Sequence, residues 1–175
     1  MTQHYLETER LILRRWRSED VAPFAAICAD PDVMEFIGDG STRTAGETVS
    51  LVAKLERFWE ARNYGLFAIE LRETNEFLGF AGLSDPDFMP ELLPSVEIGW
   101  RLGKAHWGKG YATEAATAAL AFAIESPDIE EIVSICQVGN GASTSIMKKI
   151  GLEFDRRSLD PTCDREVFVY RLPRK

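Results

Sequence analysis

The stretch "GKAHWGKGYATEA" at residues 103–115 decides how the rest of the chain is read. It sets three glycines and two lysines within eight residues and then runs into an alanine-rich segment of helical composition. Glycines ahead of a helix start let the backbone approach an anion, and the free first-turn N–H groups and helix dipole favour negative charge there. Four readings compete. As a P-loop, Gly103, Gly108 and Lys109 fit Gly-x4-Gly-Lys, but Gly110 stands where Mg²⁺ coordination calls for Ser or Thr. As a dinucleotide fingerprint, Gly108 and Gly110 begin GxGxxG, but Thr113 replaces the third glycine and no βαβαβ series follows. A pyrophosphate cradle at the start of a single helix fits the glycines, and so does a plain tight turn with solvated lysines. The loop alone leaves these last two open.

Outward from the loop, the hydrophobic pattern predicts alternating strands and helices. Upstream, "RLILRRW" at 10–16 reads as a strand, and "SEDVAPFAAICA" as a helix with Ser18 and Asp20 as candidate N-caps and Pro23 near its first turn. "DPDVMEFIGDG" is a short helical turn closed by glycines. In "TAGETVSLVAKLERFWEARN" the residues Leu51, Val52, Leu55, Phe58, Trp59 and Arg62 fall at helical spacing, and Asn63 ends the helix. "YGLFAIEL" and "EFLGFAGLS", joined by "RETN", predict a β-hairpin. "DPDFMPELLP" is an irregular loop and "SVEIGWRLG" a strand. Downstream, the alanine-rich helix is followed by the strand "IEEIVSICQV", with Val133, Ile135 and Val138 on its buried side. "NGASTSIMKKIG" is a short helix on which Ala142, Ile146 and Ile150 recur every four residues and Gly151 is the C-cap. Two strands, "LEFDRRSL" and "REVFVYRL", close the chain. The expected fold is α+β: a mixed, mostly antiparallel central sheet of about seven strands with helices on both faces.

Length and composition bound the function. A chain of 175 residues predicts one domain over 1–175 with room for a real core. No apolar run approaches a membrane span, and the N-terminus lacks the apolar stretch of a signal peptide, so the expected location is the cytoplasm. Cys28, Cys136 and Cys163 form no CxxC pair, and with two histidines neither a disulfide framework nor a metal site is favoured. A net charge of −8 disfavours direct nucleic-acid or anionic-membrane partners. Against that background a local Gly-Lys loop points to one particular anion.

The second motif resolves the loop. "NGASTSIMKKIGLEF" presents Asn140, Ser143, Lys149 and Gly151 in order after the glycine loop, with Leu152 at a position often aromatic. With the loop form Trp107-Gly108-Lys109-Gly110-Tyr111, the chain resembles the GNAT superfamily of acyl-CoA-dependent N-acetyltransferases, and within it the RimJ/RimL-type branch. "ETERLILRRWRSEDVAPF", "SVEIGWRL" and "FVYRLPR" extend the resemblance over essentially the whole chain. The family's loop often begins with Gln or Arg, and Ala105 stands there instead.

The resemblance implies a sheet that splays near residues 95–103, helped by Gly99, with the pantetheine arm of acetyl-CoA lying in the gap against the main chain of Trp100, Arg101 and Leu102. It implies that the diphosphate meets the amides of Trp107, Gly108, Lys109, Gly110, Tyr111, Ala112 and Thr113, with Asn140 and Ser143 on the opposite wall. The implied reaction is direct attack of a neutral primary amine on the acetyl thioester, without a metal, in a fold that is often a homodimer. A strand amide near Leu102 would hold the oxyanion. Ser143 would hydrogen-bond the leaving thiolate, or else only cap its helix. Glu97 would be the base, raised by partial burial and relaying through water, or else a strand-face carboxylate paired with an arginine. A weak base suits an α-amine of pKa near 8 better than a lysine of pKa ~10.4.

The remaining residues carry plainer readings. Trp100, Trp107 and Tyr111 read as core aromatics before they read as a cofactor box. His106 reads as an exposed loop histidine, with contact at the phosphate edge as its alternative, and His4 as part of a mobile tail. Lys148 and Lys149 suit a helix C-terminus. The acceptor walls are expected from the two early helices, the 37–47 turn and the 84–94 loop, where Asp85, Asp87 and Glu91 mainly keep the loop soluble. The rival readings are a non-catalytic acyl-CoA-binding or sensing module on the same fold and, remotely, a P-loop phosphotransferase.

Overall fold

Apolar runs that cannot satisfy their own backbone groups pair into a sheet, and the computed structural model, which describes residues 6–173, shows how they do so. His4 lies outside the described residues. The strands are β1 (Leu6–Glu7), β2 (Leu11–Arg14), β3 (Leu66–Leu71), β4 (Phe77–Ser84), β5 (Val96–Leu102), β6 (Ile132–Gln137), β7 (Glu153–Asp160) and β8 (Arg165–Arg171). The helices are α1 (Val21–Cys28), α2 (Pro31–Met34), α3 (Ala45–Arg62), α4 (Tyr111–Glu125) and α5 (Gly141–Lys149). The strand order is β1-β2-β3-β4-β5-β6-β8-β7, and every neighbouring pair is antiparallel except β5–β6. The short β1, which pairs Leu6 with Leu13, brings the sheet to eight strands among the described residues rather than about seven.

The sheet buries both faces. On one, Trp16, Phe24, Cys28, Met34, Val52 and Phe80 pack beneath α1, α2 and the start of α3. On the other, the alanines of α4 let that helix sit close to Ile98, Leu102 and Leu83, with Trp59 filling the same layer. The helix α3 begins on a reciprocal cap: the Thr44 hydroxyl accepts from the Glu47 amide, and Glu47 accepts from the Thr44 amide. Asn63, at φ 58°, turns the chain out of the helix.

Three local expectations change. Neither Ser18 nor Asp20 caps α1; the Asp20 carboxylate is drawn instead to the Arg14 guanidinium (2.7 Å), which also holds Glu70 (2.8 Å). All three are buried, and a buried charge is held only where it is paired, so the ion triad outbids the cap. In β6, Ile132, Ser134, Cys136 and Gln137 are buried as well as Val133, because a central strand is covered on both sides, while Ile135 and Val138 are half-buried. In α5 the buried residue is Met147. The stripe of Ala142 and Ile146 faces a cleft, and only Ile150 packs against the core.

The parallel contact between β5 and β6 is short. It consists of Val96 opposite Ile132 and Glu97 opposite Val133, after which the strands part. Ser134 closes the vertex by donating its hydroxyl to the Ile98 carbonyl (2.8 Å).

Candidate active site

The parting of β5 from β6 leaves main-chain groups without a ladder partner. The Val96 amide donates to the Glu131 carbonyl, so the even-numbered residues of β5 direct their backbone groups towards β6 and the odd-numbered ones towards β4. Beyond the vertex, the N–H and C=O of Trp100 and the N–H of Leu102 therefore open into the gap. The Leu102 carbonyl accepts from the Trp107 indole (3.0 Å). The main chain of Arg101 belongs to the β4 ladder, so of the three residues expected to line the gap with their backbone, Arg101 does so with its side chain alone.

The glycine loop stands at the end of this gap. Gly108 (φ 71°) and Gly110 (φ 79°) are both left-handed, a conformation that a side chain makes costly. Gly110 offers no side chain to cap α4, so the first-turn amides of Tyr111, Ala112 and Thr113 have no intrahelical partner. Arg10 supports the loop from behind. It donates to the Lys109 carbonyl (2.9 Å) and the Glu114 carboxylate (2.7 Å) and lies 4.6 Å from the centre of the Tyr111 ring. Burial alone would raise Glu114, but hydrogen bonds from Thr8 and from the amide and guanidinium of Arg10 hold it below the ordinary value.

A cleft of about 710 Å³ joins the two features. Gly108, Gly110, Tyr111, Ala112 and Thr113 line it on the loop side, and Asn140, Ala142, Ser143, Ser145, Ile146 and Lys149 on the α5 side. Trp107 lines it too, but its amide donates to the Lys104 carbonyl (3.2 Å) and its indole to Leu102, so both donors are engaged within the protein. Lys109 does not contribute to the lining, and Lys104 pairs with Asp32 at the rim. His106 is not an exposed loop residue: its side chain is 13% exposed and lies 3.6 Å from Glu76. Lys149, which helix-dipole reasoning explains without a ligand, faces the cleft one turn beyond Ser145.

A second cavity of about 340 Å³ opens on the α1–α2 side of the sheet and shares Phe36, Ile37, Trp100, Arg101, Asn140 and Ser143 with the first. Phe36, Ile37, Gly38 and Phe88 form its outer wall, from the turn and the loop where the acceptor walls are expected. Asp85 and Glu91 of that loop are engaged elsewhere, Asp85 by Arg62 and Tyr64, and Glu91 by Ser158.

Glu97 faces this second cavity without an arginine partner among the described residues. Burial pushes its carboxyl up to about 8; the nearby Asp160 charge adds to the rise, and the Ser84 hydroxyl opposes it. Asp160 is itself buried and accepts from the Thr162 amide (2.8 Å) and hydroxyl (2.6 Å). Across the gap, Asn140 caps α5 by accepting from the Ser143 amide (3.1 Å). Capping is thus the task of Asn140 rather than Ser143, whose side chain lines both cavities. Four residues that sequence reasoning passed over stand here: Phe36, Asp160, Thr162 and the guanidinium of Arg101. Phe36 and Thr162 come from turns and Asp160 from the last position of β7, none with a motif of its own, so only the fold brings them in.

Known proteins share this fold. Residues 10–153 match the family described as Acetyltransferase (GNAT) domain. YkkB of Bacillus subtilis (strain 168) is 32% identical over 158 residues, 86% of each chain. An acetyltransferase from Agrobacterium tumefaciens str. C58 is 28% identical, with a TM-score of 0.81 over 99% of this chain and 96% of that one. The fold is also that of RimL, a ribosomal L7/L12 α-N-protein acetyltransferase solved in complex with coenzyme A, at 16% identity and a TM-score of 0.77 over 96% and 97% of the two chains.

Proposed function

The chain belongs to the GNAT acetyltransferase family and is an acyltransferase, and on that premise we propose that it moves acetyl from acetyl-CoA to a primary amine by direct attack. The observation that carries this reading is the gap beyond Glu97. Unpaired groups of Trp100 and Leu102 lie between an uncapped helix start on one side and a raised carboxyl on the other.

In this reading the amides of Tyr111, Ala112 and Thr113, with the left-handed Gly108 and Gly110, hold the diphosphate. Trp100 and Leu102 pair with the pantetheine arm as a neighbouring strand would. Asn140, its side-chain oxygen committed to the α5 cap, keeps its amide donors for the cofactor.

The acceptor enters from the smaller cavity. Glu97 takes a proton from the ammonium, directly or through a water, and the neutral nitrogen attacks the thioester carbonyl. A Leu102 or Trp100 amide stabilises the charge that builds on the carbonyl oxygen. The C–N bond forms and the C–S bond breaks. The nitrogen sheds its second proton as the C–N bond forms, the Ser143 hydroxyl donates to the departing thiolate, and of the two protons lost one ends on that sulfur and the other in solvent by way of Glu97. A base with a pKa of about 8 is roughly one-tenth ionised at pH 7, which matches an α-amine better than a lysine.

Thermal unfolding tests the premise. Acetyl-CoA at ~100 times its dissociation constant adds about 2.7 kcal/mol of stability. Stabilisation by acetyl-CoA and not by Mg-ATP is expected; the reverse removes the reading in favour of a phosphotransferase. Release of free thiol with a panel of amines separates an enzyme from a sensing module.

A further inference from the structure

We propose that the amine acceptor also carries a compact anion, of the carboxylate or phosphate type, that binds the Arg101 guanidinium while the amine faces Glu97. The proposal rests on the transfer reading above and adds to it the chemical class of the acceptor.

Arg101 differs from most arginines of this acidic chain, and shares with Arg43 a buried Nε that has no hydrogen-bond partner among the described residues. Arg10, Arg14, Arg15, Arg62, Arg157 and Arg171 each hold a carboxylate within 3 Å. Arg101 holds none. Its Nη1 reaches only the Cys28 sulfur (3.5 Å), its Nε is buried without a hydrogen-bond partner, and its guanidinium lies 5.3 Å from the centre of the Phe80 ring. The positive charge of Arg43, whose own Nε is also buried without a partner, opposes that of Arg101. A guanidinium has five N–H donors in a fixed fork, and burying them unpaired is costly unless a ligand completes them. Burial accordingly pushes the Arg101 group below its ordinary value.

Its position gives the cost a use. Odd-numbered residues of β5 share one face, so Arg101 and Glu97 line the same cavity, their Cα atoms about 13 Å apart along the strand. Glu97 and Asp160 make one end acidic, and Arg101 makes the other basic. Such a pocket is complementary to a molecule with an ammonium at one end and an anion at the other, and it repels a diamine. Its volume admits a small molecule or a chain terminus rather than a folded surface.

Matched acceptor pairs test this in the unmodified protein. The pairs are an amino acid and its amide, a peptide with Asp at its second residue and the same peptide with Asn, and a phosphoserine peptide and its serine form. The readout is thiol release from acetyl-CoA, and stabilisation of the CoA-saturated protein by each acceptor is measured alongside. At least a tenfold higher kcat/KM for the anionic member of one pair is expected, and the pair that shows it identifies the source of the anion. Arg101→Gln should then raise the KM for that member roughly 10–100-fold, with a much smaller change in acetyl-CoA affinity. Equal use within every pair overturns the proposal, as does an Arg101→Gln that weakens acetyl-CoA and acceptor alike. If no amine is acetylated although acetyl-CoA binds, the transfer reading fails; the proposal is then decided by whether the anionic members stabilise the protein more than their neutral partners.

Discussion

The two cavities that meet at Ser143 are built from different materials. The larger cleft presents main-chain groups: first-turn amides of α4, two left-handed glycines and the unpaired edge of β5. The smaller cavity presents side chains, with Glu97 and Asp160 belonging to it alone and Arg101 lining both. Main-chain donors are indifferent to most substitutions, provided the backbone keeps its course. Side-chain groups can be removed singly and retuned by their surroundings. The contrast suits a shared cofactor on one side and a specific acceptor on the other.

The sharpest test lies on the side-chain half. Glu97→Gln is expected to lower kcat/KM about 10²–10³-fold with little change in acetyl-CoA affinity. The native rate should rise with pH through about 8, and the variant should lose that part of the profile. Activity and profile both retained would leave the cavity without its base. The same carboxyl links to stability. Its folded value is raised above the ordinary 4.5, so the folded state binds more protons between 4.5 and about 8. Its contribution is complete below the unfolded value and is lost as pH rises through the folded one. Chemical denaturation should show stability falling by up to about 1.4 kcal/mol per pH unit in that window, and a flatter curve for Glu97→Gln.

Ser143, on the boundary, comes next. Ser143→Ala should reduce kcat about tenfold while the acetyl-CoA dissociation constant moves less, since a hydrogen bond to a charged group contributes about 1.5 kcal/mol. An unchanged kcat in single-turnover measurement would make it a wall residue only.

The main-chain half should answer to backbone shape instead. Gly110→Ala places a Cβ at φ 79° and 3.3 Å from Arg10 Nη2, and is expected to weaken acetyl-CoA about fivefold by calorimetry at little cost in saturated rate. Smallest of all should be Lys109→Ala, below twofold in acetyl-CoA affinity, because that side chain does not line the cleft. A larger loss would show that charge, and not amides alone, holds the diphosphate.

The same contrast governs what could be read from the chain. The glycine loop and "NGASTSIMKKIG" are each contiguous, so together they carried the resemblance to the family, while the α5 cap fell to Asn140 and not to Ser143, the candidate the sequence offered. Periodicity likewise located α3, α4 and the β3–β4 hairpin. Local rules failed where tertiary demands took over. Asp20 left its capping role for Arg14, and the Ala142–Ile146 stripe turned to a cleft instead of the core. By itself, the sequence determined the order of all elements but the short β1, the glycine loop ahead of α4 and the family, because each is written in residues adjacent along the chain. Only the tertiary structure decided which β5 groups stay unpaired, that Glu97 sits beside Asp160 with its carboxyl raised, and that Arg101 is buried without a carboxylate. Those facts depend on which distant segments pack together and how much water they exclude, and no local pattern encodes either.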